Sequence, residues 1–291
     1  MIFTNKLNLP EPLFQSIVRV MTKKERVADF SVTELIKPPQ MLQLERRHDA
    51  EIRVDASDCI WLLLGQAVHA VLEFAGSKYT TEHHIEETLM MEADGVMISG
   101  TPDVHCIAAD RLSDYKITSV WAFLKGEKPE WVKQLNIYAW MLRTSRNVKV
   151  ESLEIVAILR DWSITRTYES DYPEKAVAVV PIERMDDLEI EEYVGQRVKR
   201  HKIAATQKDD TLPECTAEDR WEKPTTWAVQ KPGAVKAWRV KATKEEADAL
   251  AAESKKMEVV RRAGESTRCK FYCRAFPFCR QGKWLVTSQG E

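Results

Sequence analysis

The sequence predicts a mixed α/β fold: a helix, three antiparallel strands, a second helix and a fourth strand, followed by a C-terminal lobe stapled by cysteines. Three observations predict it. Apolar residues recur at helical spacing over 57–74. Three short runs of alternating character follow, separated by Asp94-Gly95 and Ala109-Asp110-Arg111, and a second helix-then-strand pattern comes after them. Near the C-terminus, Cys269, Cys273 and Cys279 form a close triple. The division expected is an N-terminal lead over 1–30, a core over 31–180, and a helical and cysteine-bearing lobe over 181–291.

The lead is expected to be loosely structured, with a short helix near 13–21. Ser31 or Thr33 caps the turn that follows, and Pro38-Pro39 breaks it before a short helix over 41–47. Ser57-Asp58 opens the first core helix, which carries Cys59, Trp61, Leu62, Leu64, Val68, Val71 and Leu72 at helical spacing. Gly65 on it permits close packing against a neighbour. His69 lies four residues further on and Glu73 four beyond that, on one helix face.

The three strands are expected over 85–93, 96–108 and 112–117. Asp94-Gly95 suits the turn between the first two, since glycine tolerates positive φ. The second helix spans 129–144, with Trp131, Leu135, Tyr138, Ala139 and Leu142 on its inner side. Gln134 shares a face with Tyr138. Leu153, Ile155, Ala157 and Leu159 alternate on a fourth strand over 149–160, which joins through a crossover. One long helix is expected over 182–206, a hairpin over 225–241 turning at Pro232-Gly233, and a helix over 243–256 capped by Thr243 with Glu246 three residues on.

Composition fits a soluble globular protein: 30% of the 291 residues are charged and 44% hydrophobic. No apolar run is expected to span a membrane, and the first residues lack the pattern of a secretory signal, so a cytoplasmic location and no membrane partner are expected. The net charge of -2 does not by itself mark a nucleic-acid binder. Its distribution is uneven: residues 196–285 carry 21 Lys and Arg against 12 Asp and Glu. Such a surface suits a phosphate backbone or serves solubility alone.

The chemistry-bearing stretch runs from Gly100-Thr-Pro-Asp103 to Asp114-Tyr115-Lys116. Side chains on a strand alternate faces, so Asp114 and Lys116 point to one side, and a hairpin of this length brings Asp103 beside them. Two carboxylates and an ammonium at a sheet edge must pair or hold a cation if buried. Oxygen ligands of this kind suit Mg²⁺ or Mn²⁺. An exposed hairpin with an ordinary Asp–Lys pair is the plain alternative.

Taken together, these residues resemble the PD-(D/E)XK nuclease superfamily in its RecB-like branch. Gly65-Gln-Ala-Val-His69 is similar to that branch's glycine–histidine motif, Gly100-Thr-Pro-Asp103 to G-x-x-D, Asp114-Tyr-Lys116 to D-x-K, and Gln134-Leu-Asn-Ile-Tyr138 to Q-x-x-x-Y. The match covers about residues 31–160. It implies a restriction-endonuclease-like core and a metal-dependent DNA exonuclease of phage-type or CRISPR-associated kind, acting in recombination or repair. Asp103 and Asp114 would hold the cation with the backbone carbonyl of Tyr115, and His69 would complete the site. Lys116 would steer the attacking water, Gln134 and Tyr138 would orient DNA, and Glu73 would support His69. An annealing protein or helicase is the partner implied beside DNA. The alternatives are a non-catalytic DNA-binding module on this fold and a structure-specific endonuclease.

Cys59 and Cys106 lie in apolar surroundings and are expected in the core. Cys215, 54 residues before the triple, makes a fourth thiol with Cys269, Cys273 and Cys279. Four thiolates hold a zinc ion or an iron–sulfur cluster, and reduced thiols packing a small lobe are the bland reading. The chemistry leans to zinc, whereas the resemblance implies a [4Fe–4S] cluster. In those relatives the first cysteine precedes the nuclease motifs; here the corresponding segment, Ile36-Lys-Pro-Pro-Gln40, has none. The C-terminal lobe is expected to wall a DNA channel, with Trp221, Trp227 and Trp238 either stacking on unpaired bases or filling the lobe's core.

Overall fold

The computed structural model describes residues 1–22, 27–76, 78, 82–126, 128–253 and 256–288. The chain forms two compact units. One comprises Met1–Ile36 and Arg53–Ile203, the other Lys37–Ile52 and Ala204–Glu291.

The first unit is built on a five-stranded sheet ordered Val177–Ile182, Ser152–Leu159, Arg111–Thr118, Val104–Cys106, His83–Ile85. The Asp114 strand (Arg111–Thr118) runs parallel to Ser152–Leu159, with Asp114 opposite Ile155 and Lys116 opposite Ala157. The other pairs are antiparallel. Parallel neighbours need a crossover, and the helix Pro129–Arg146 supplies it. Along Ser152–Leu159 burial alternates, with Leu153, Ile155, Ala157 and Leu159 inside.

The edge strand Val177–Ile182 was not foreseen. Pro181 argues against a central strand but is tolerated at an edge, where no partner needs its missing N–H. The helix expected from 182 starts at Asp187 instead, because Asp186 Oδ1 accepts the Glu189 N–H at 2.7 Å and caps it.

The expected hairpin strands 85–93 and 96–108 each break in two. Leu89–Ala93 and Val96–Gly100 leave the main sheet for a three-stranded one, in which Val96–Gly100 lies between Phe30–Ser31 and Leu89–Ala93. Glu86, at φ 49°, turns the chain at one break. At the other, Pro102 offers no N–H to a ladder. Asp103 therefore lies where the chain crosses from one sheet to the other. The Asp94-Gly95 turn forms as expected, with φ of 48° and 68° at its two central residues.

The N-terminal lead is more ordered than expected. Ile2–Thr4 pairs in parallel with Arg53–Asp55, and Asp55 Oδ2 accepts from Thr4 Oγ1 at 2.7 Å and from the Lys6 N–H at 3.0 Å. Asp55 also accepts the Ser57 N–H and so starts the turn Ala56–Cys59 that leads into the His69 helix (Ile60–Gly76). Leu63 and Cys59 pack that helix against Ile17 and Met21 of the helix Glu11–Met21.

Two expectations for the His69 helix are corrected. None of its residues is fully buried, and Trp61, Leu62, Leu64, Val71 and Phe74 are exposed. No described atom lies within 4 Å of the position a Cβ would take at Gly65, so that glycine faces open space rather than a close neighbour. The sequence also holds one apolar run where none was expected: Ala56–Gly76, 21 residues, is long and apolar enough to cross a bilayer by length and composition. Within the first unit it packs through Leu63 against Ile17 and Met21.

In the second unit the helix Pro39–Arg47 packs Leu44 with Ala204, Leu212, Ala275 and Cys279. Arg47 and His48 Nε2 each meet Asp209 at 2.7 Å, and the His48 ring stacks on Phe278 at 4.0 Å. Thr226–Gln230 pairs with Arg239–Lys241 in the expected hairpin and, on its other edge, with Glu258–Arg262, which the sequence reading left out. Thr243 caps the helix Lys244–Ala252 by accepting the Glu246 N–H. The end expected at 256 crosses 254–255, outside the described residues. Trp221 and Trp238 are exposed with Arg268 and Arg239 over their rings, and Trp227 is half-buried near Lys244.

Candidate metal centre

A helix and two breaks in the strands bring the polar groups of the first unit together. His69 comes from its helix, Glu86 from the left-handed turn and Asp103 from the sheet crossing. One ligand atom from each lies within 4.8 Å of the other two. His69 Nδ1 is 3.2 Å from Glu86 Oε1 and 3.5 Å from Asp103 Oδ1. The backbone ties the same residues, since the Glu86 N–H donates to the Asp103 carbonyl at 3.0 Å.

Asp114 and Lys116 share a face of their strand, as the period of two requires, and the Lys116 ammonium contacts Asp114 Oδ2. Tyr115, between them, meets the cluster through its N–H, which donates to Asp103 Oδ2 at 2.7 Å. On the helix Pro129–Arg146, Gln134 Nε2 donates to Tyr138 Oη at 3.1 Å. Tyr138 is buried, and its ring lies against Gly100, where an added Cβ would come within 2.8 Å of Cε1. Glu73 is exposed on its helix. Of the residues singled out in the sequence, His69, Asp103, Asp114, Tyr115 and Lys116 are thus joined by contacts or mutual charge, Gln134 and Tyr138 border them, and Glu73 is not joined to them.

Glu86 was missed. The sequence assigned it to the interior of a strand, where its side chain would have no reason to meet His69. The available signal was the run Glu86-Glu87 beside the odd pair His83-His84, which does not fit a buried alternating strand.

The electrostatics ask for a cation. Asp114 is only 1% exposed, and Oδ2 accepts no hydrogen bond of good geometry among the described residues, the Lys116 contact aside. Burial drives its carboxyl upward in pKa, against the pull of Lys116. Burial, then the Asp114 charge, push Asp103 up to about 7. The Glu86 carboxylate draws His69 upward. Crowded, buried carboxylates that resist ionisation are the arrangement a divalent ion relieves. A donor set of one imidazole nitrogen with carboxylate oxygens fits Mn²⁺ as well as Mg²⁺. His69, Glu86 and Asp103 would hold the ion, with Asp114 at its flank.

The second unit holds the four cysteines. Cys215 Sγ and Cys279 Sγ each lie 3.5 Å from one acceptor, Oε1 of the buried Gln40. Cys215 is further fixed by Gln281, which accepts its N–H and donates to its carbonyl, both at 2.9 Å. Burial raises the thiol pKa values of Cys215, Cys269 and Cys273, the last up to about 11, and the neighbouring cysteines add to each. Among the described residues no three of these sulfurs come within 4.8 Å of one another. The segment without a cysteine at 36–40 thus contributes Gln40 to this cluster. Cys59 is buried as expected, and Cys106 is half-buried.

No family profile and no curated protein sequence matches the chain. Among solved structures, the protein SSO0001 is similar over 64% of this chain and 83% of its own, at 17% identity and a TM-score of 0.45. An alkaline exonuclease from Laribacter hongkongensis is similar over 45% of this chain and 63% of its own, at 17% identity and a TM-score of 0.29. A phage-related exonuclease from Haemophilus somnus 129PT is similar over 55% and 68%, at 14% identity and a TM-score of 0.28. Likenesses this partial leave the chemistry resting on the residues themselves.

Proposed function

We propose that this chain is a divalent-metal-dependent deoxyribonuclease that hydrolyses phosphodiester bonds from DNA ends. The observation that carries the reading is the convergence of His69, Glu86 and Asp103 beside a buried Asp114 paired to Lys116. A bound Mg²⁺ or Mn²⁺ supplies a Lewis acid that acidifies water and offsets charge on the scissile phosphate.

The chain's own groups do the rest. Glu86 and Asp103 fix the His69 ring. The Tyr115 N–H holds one oxygen of Asp103 at 2.7 Å and leaves the other turned to His69. Lys116, a quarter exposed, keeps its ammonium at the edge of the cluster, where it can follow phosphoryl charge as it builds. Half-buried Gln134 and buried Tyr138 form a wall, and the hydrogen bond between them fixes the amide that would orient DNA.

The four cysteines are proposed to hold a [4Fe–4S] cluster. The meeting of Cys215 and Cys279 at Gln40 supports a group shared by these thiols, and the resemblance to nucleases with a C-terminal cysteine triple favours the iron–sulfur cluster over zinc. Anaerobic purification with iron, sulfide and zinc analysis tests this. One zinc per chain without sulfide would establish the alternative.

The test of the catalytic reading is digestion of end-labelled linear and closed-circular DNA, single- and double-stranded, with Mg²⁺ and with Mn²⁺. Loss of linear DNA only, reduced at least about a hundred-fold in Asp114→Asn, is the expected result. Cleavage of closed circles would make it an endonuclease. No cleavage by the wild type, with DNA binding that survives loss of the carboxylates, would make it a binding module.

A further inference from the structure

The His69 helix exposes a large aromatic group two turns before the metal cluster. Positions 61, 65 and 69 lie within about 80° of one another around a helix and span about 12 Å along it. Trp61 is 54% exposed, Gly65 has no described neighbour within 4 Å of a Cβ, and His69 is in the cluster. A stripe of indole, empty floor and ligand therefore runs along one face.

Cations border the stripe. The Arg160 guanidinium sits 4.3 Å from the centre of the Trp61 ring. Its backbone N–H bonds to the Thr118 carbonyl at 3.0 Å, at the end of the strand that carries Lys116. The Lys128 ammonium sits 4.7 Å from the centre of the Trp131 ring; burial lowers its pKa, and the nearby charges of Arg160 and Lys116 add to that lowering. Next to Arg160, Asp161 Oδ1 accepts the Val120 N–H at 2.7 Å and anchors the short helix Val120–Leu124. That helix presents Trp121, 63% exposed with the Lys125 ammonium 3.6 Å over its ring.

We propose that an unpaired DNA strand runs along the face Trp61–Gly65–His69 to the scissile position, with a base stacked on Trp61 and its phosphates held by Arg160 and Lys128. The inference rests on the nuclease reading and names its substrate as single-stranded DNA. Exposed indoles interleaved with cations are what single-strand grooves offer: every base has a face to stack, and the cations track the backbone. A duplex keeps its base faces stacked internally and cannot use Trp61. Gly65 gives the backbone its passage, because any side chain there would stand in the path. Trp121 provides a second platform beyond Arg160.

The experiment is anisotropy of a labelled oligo-dT and of a blunt duplex on the full chain in EDTA, where cleavage does not intrude. Trp61→Ala is expected to weaken oligo-dT binding about ten-fold or more and duplex binding less than two-fold, and Trp61→Phe to keep most of the affinity. Gly65→Ala is the sharper variant. It meets no neighbour and improves helix propensity, so a purely structural position would gain in Tm with no loss of binding; here Tm is expected to rise while oligo-dT affinity falls. Unchanged oligo-dT affinity in both Trp61→Ala and Gly65→Ala, or no oligo-dT binding by the wild type, overturns the proposal. So does a Trp61→Ala effect confined to sedimentation mass or to flotation with anionic vesicles, which would give the face to a second copy or to a bilayer. Failure of the parent reading looks different: Trp61-dependent oligo-dT binding with no cleavage in Mg²⁺ or Mn²⁺ removes the nuclease and leaves the strand track.

Discussion

Glu86 shows how much of the candidate centre hangs on single backbone choices. At φ 49° it occupies a conformation that non-glycine residues take at a steric cost. The cost is met by the bond from its N–H to Asp103 and by the contact of its carboxylate with His69. Glu86→Gln keeps the shape and removes the charge. It is expected to weaken Mn²⁺ binding about ten- to a hundred-fold by calorimetry, with little change in Tm. An unchanged Mn²⁺ affinity would take Glu86 out of the ligand set. Asp114 and Lys116 were legible because two-residue spacing on a strand fixes a shared face, and Asp103 because the hairpin brings it beside them; Glu86 was not, because only the broken strand turns it inward.

At the scale of elements, the join between the Val96–Gly100 strand and the helix Pro129–Arg146 positions the Gln134–Tyr138 wall. Gly100 makes that join possible: a Cβ there would lie 2.8 Å from Tyr138 Cε1 and 3.0 Å from Val32 Cγ2. The ring is buried and cannot swing away freely. Gly100→Ala is expected to cost about 1–3 kcal/mol in urea unfolding, the usual penalty of overpacking, and to lower cleavage more than DNA binding by shifting Tyr138. A stability within a few tenths of wild type would mean that the helix slides to accommodate it. The His69 helix was legible as a helix, yet its buried side was not. The apolar content is high all round, so periodicity could not say that Leu63 faces the core while Trp61 and Phe74 face out.

At the scale of the molecule, the segment 37–52 leaves the first unit's sequence neighbourhood and joins the second. His48 is a tie within that second unit, and its strength depends on pH. Hydrogen bonds to Asp209 and Glu51 raise the His48 pKa, so its contribution is complete below about 6.5 and is lost as pH rises through the raised value. Asp209 is lowered, chiefly by His48 and Arg47, so its contribution is complete above about 3.8 and is lost as pH falls through the lowered value. The Tm difference between wild type and His48→Gln should therefore be widest from about pH 4 to 6.5 and narrow above it; a difference that stays flat from pH 5 to 9 would mean that stacking on Phe278 alone matters. Cys273→Ser tests the proposed cysteine-held group of this unit. It is expected to open new sites to limited proteolysis within 204–291 while the first unit stays intact, and an unchanged cleavage pattern would show that the thiol carries no structural weight.

The sequence by itself determined the turns at Asp94-Gly95 and Pro232-Gly233, the caps at Ser31 and Thr243, and the shared face of Asp114 and Lys116. Each of these is set by interactions within a few residues, which local pattern and turn chemistry encode. Only the tertiary structure decided the rest. The split of the hairpin between two sheets, the inward turn of Glu86, the edge strand Val177–Ile182 and the contribution of Gln40 to the cysteine cluster all depend on partners tens to hundreds of residues away. Contacts at that separation leave no period in the sequence, because what selects them is the space and the unpaired groups left by everything else that has folded.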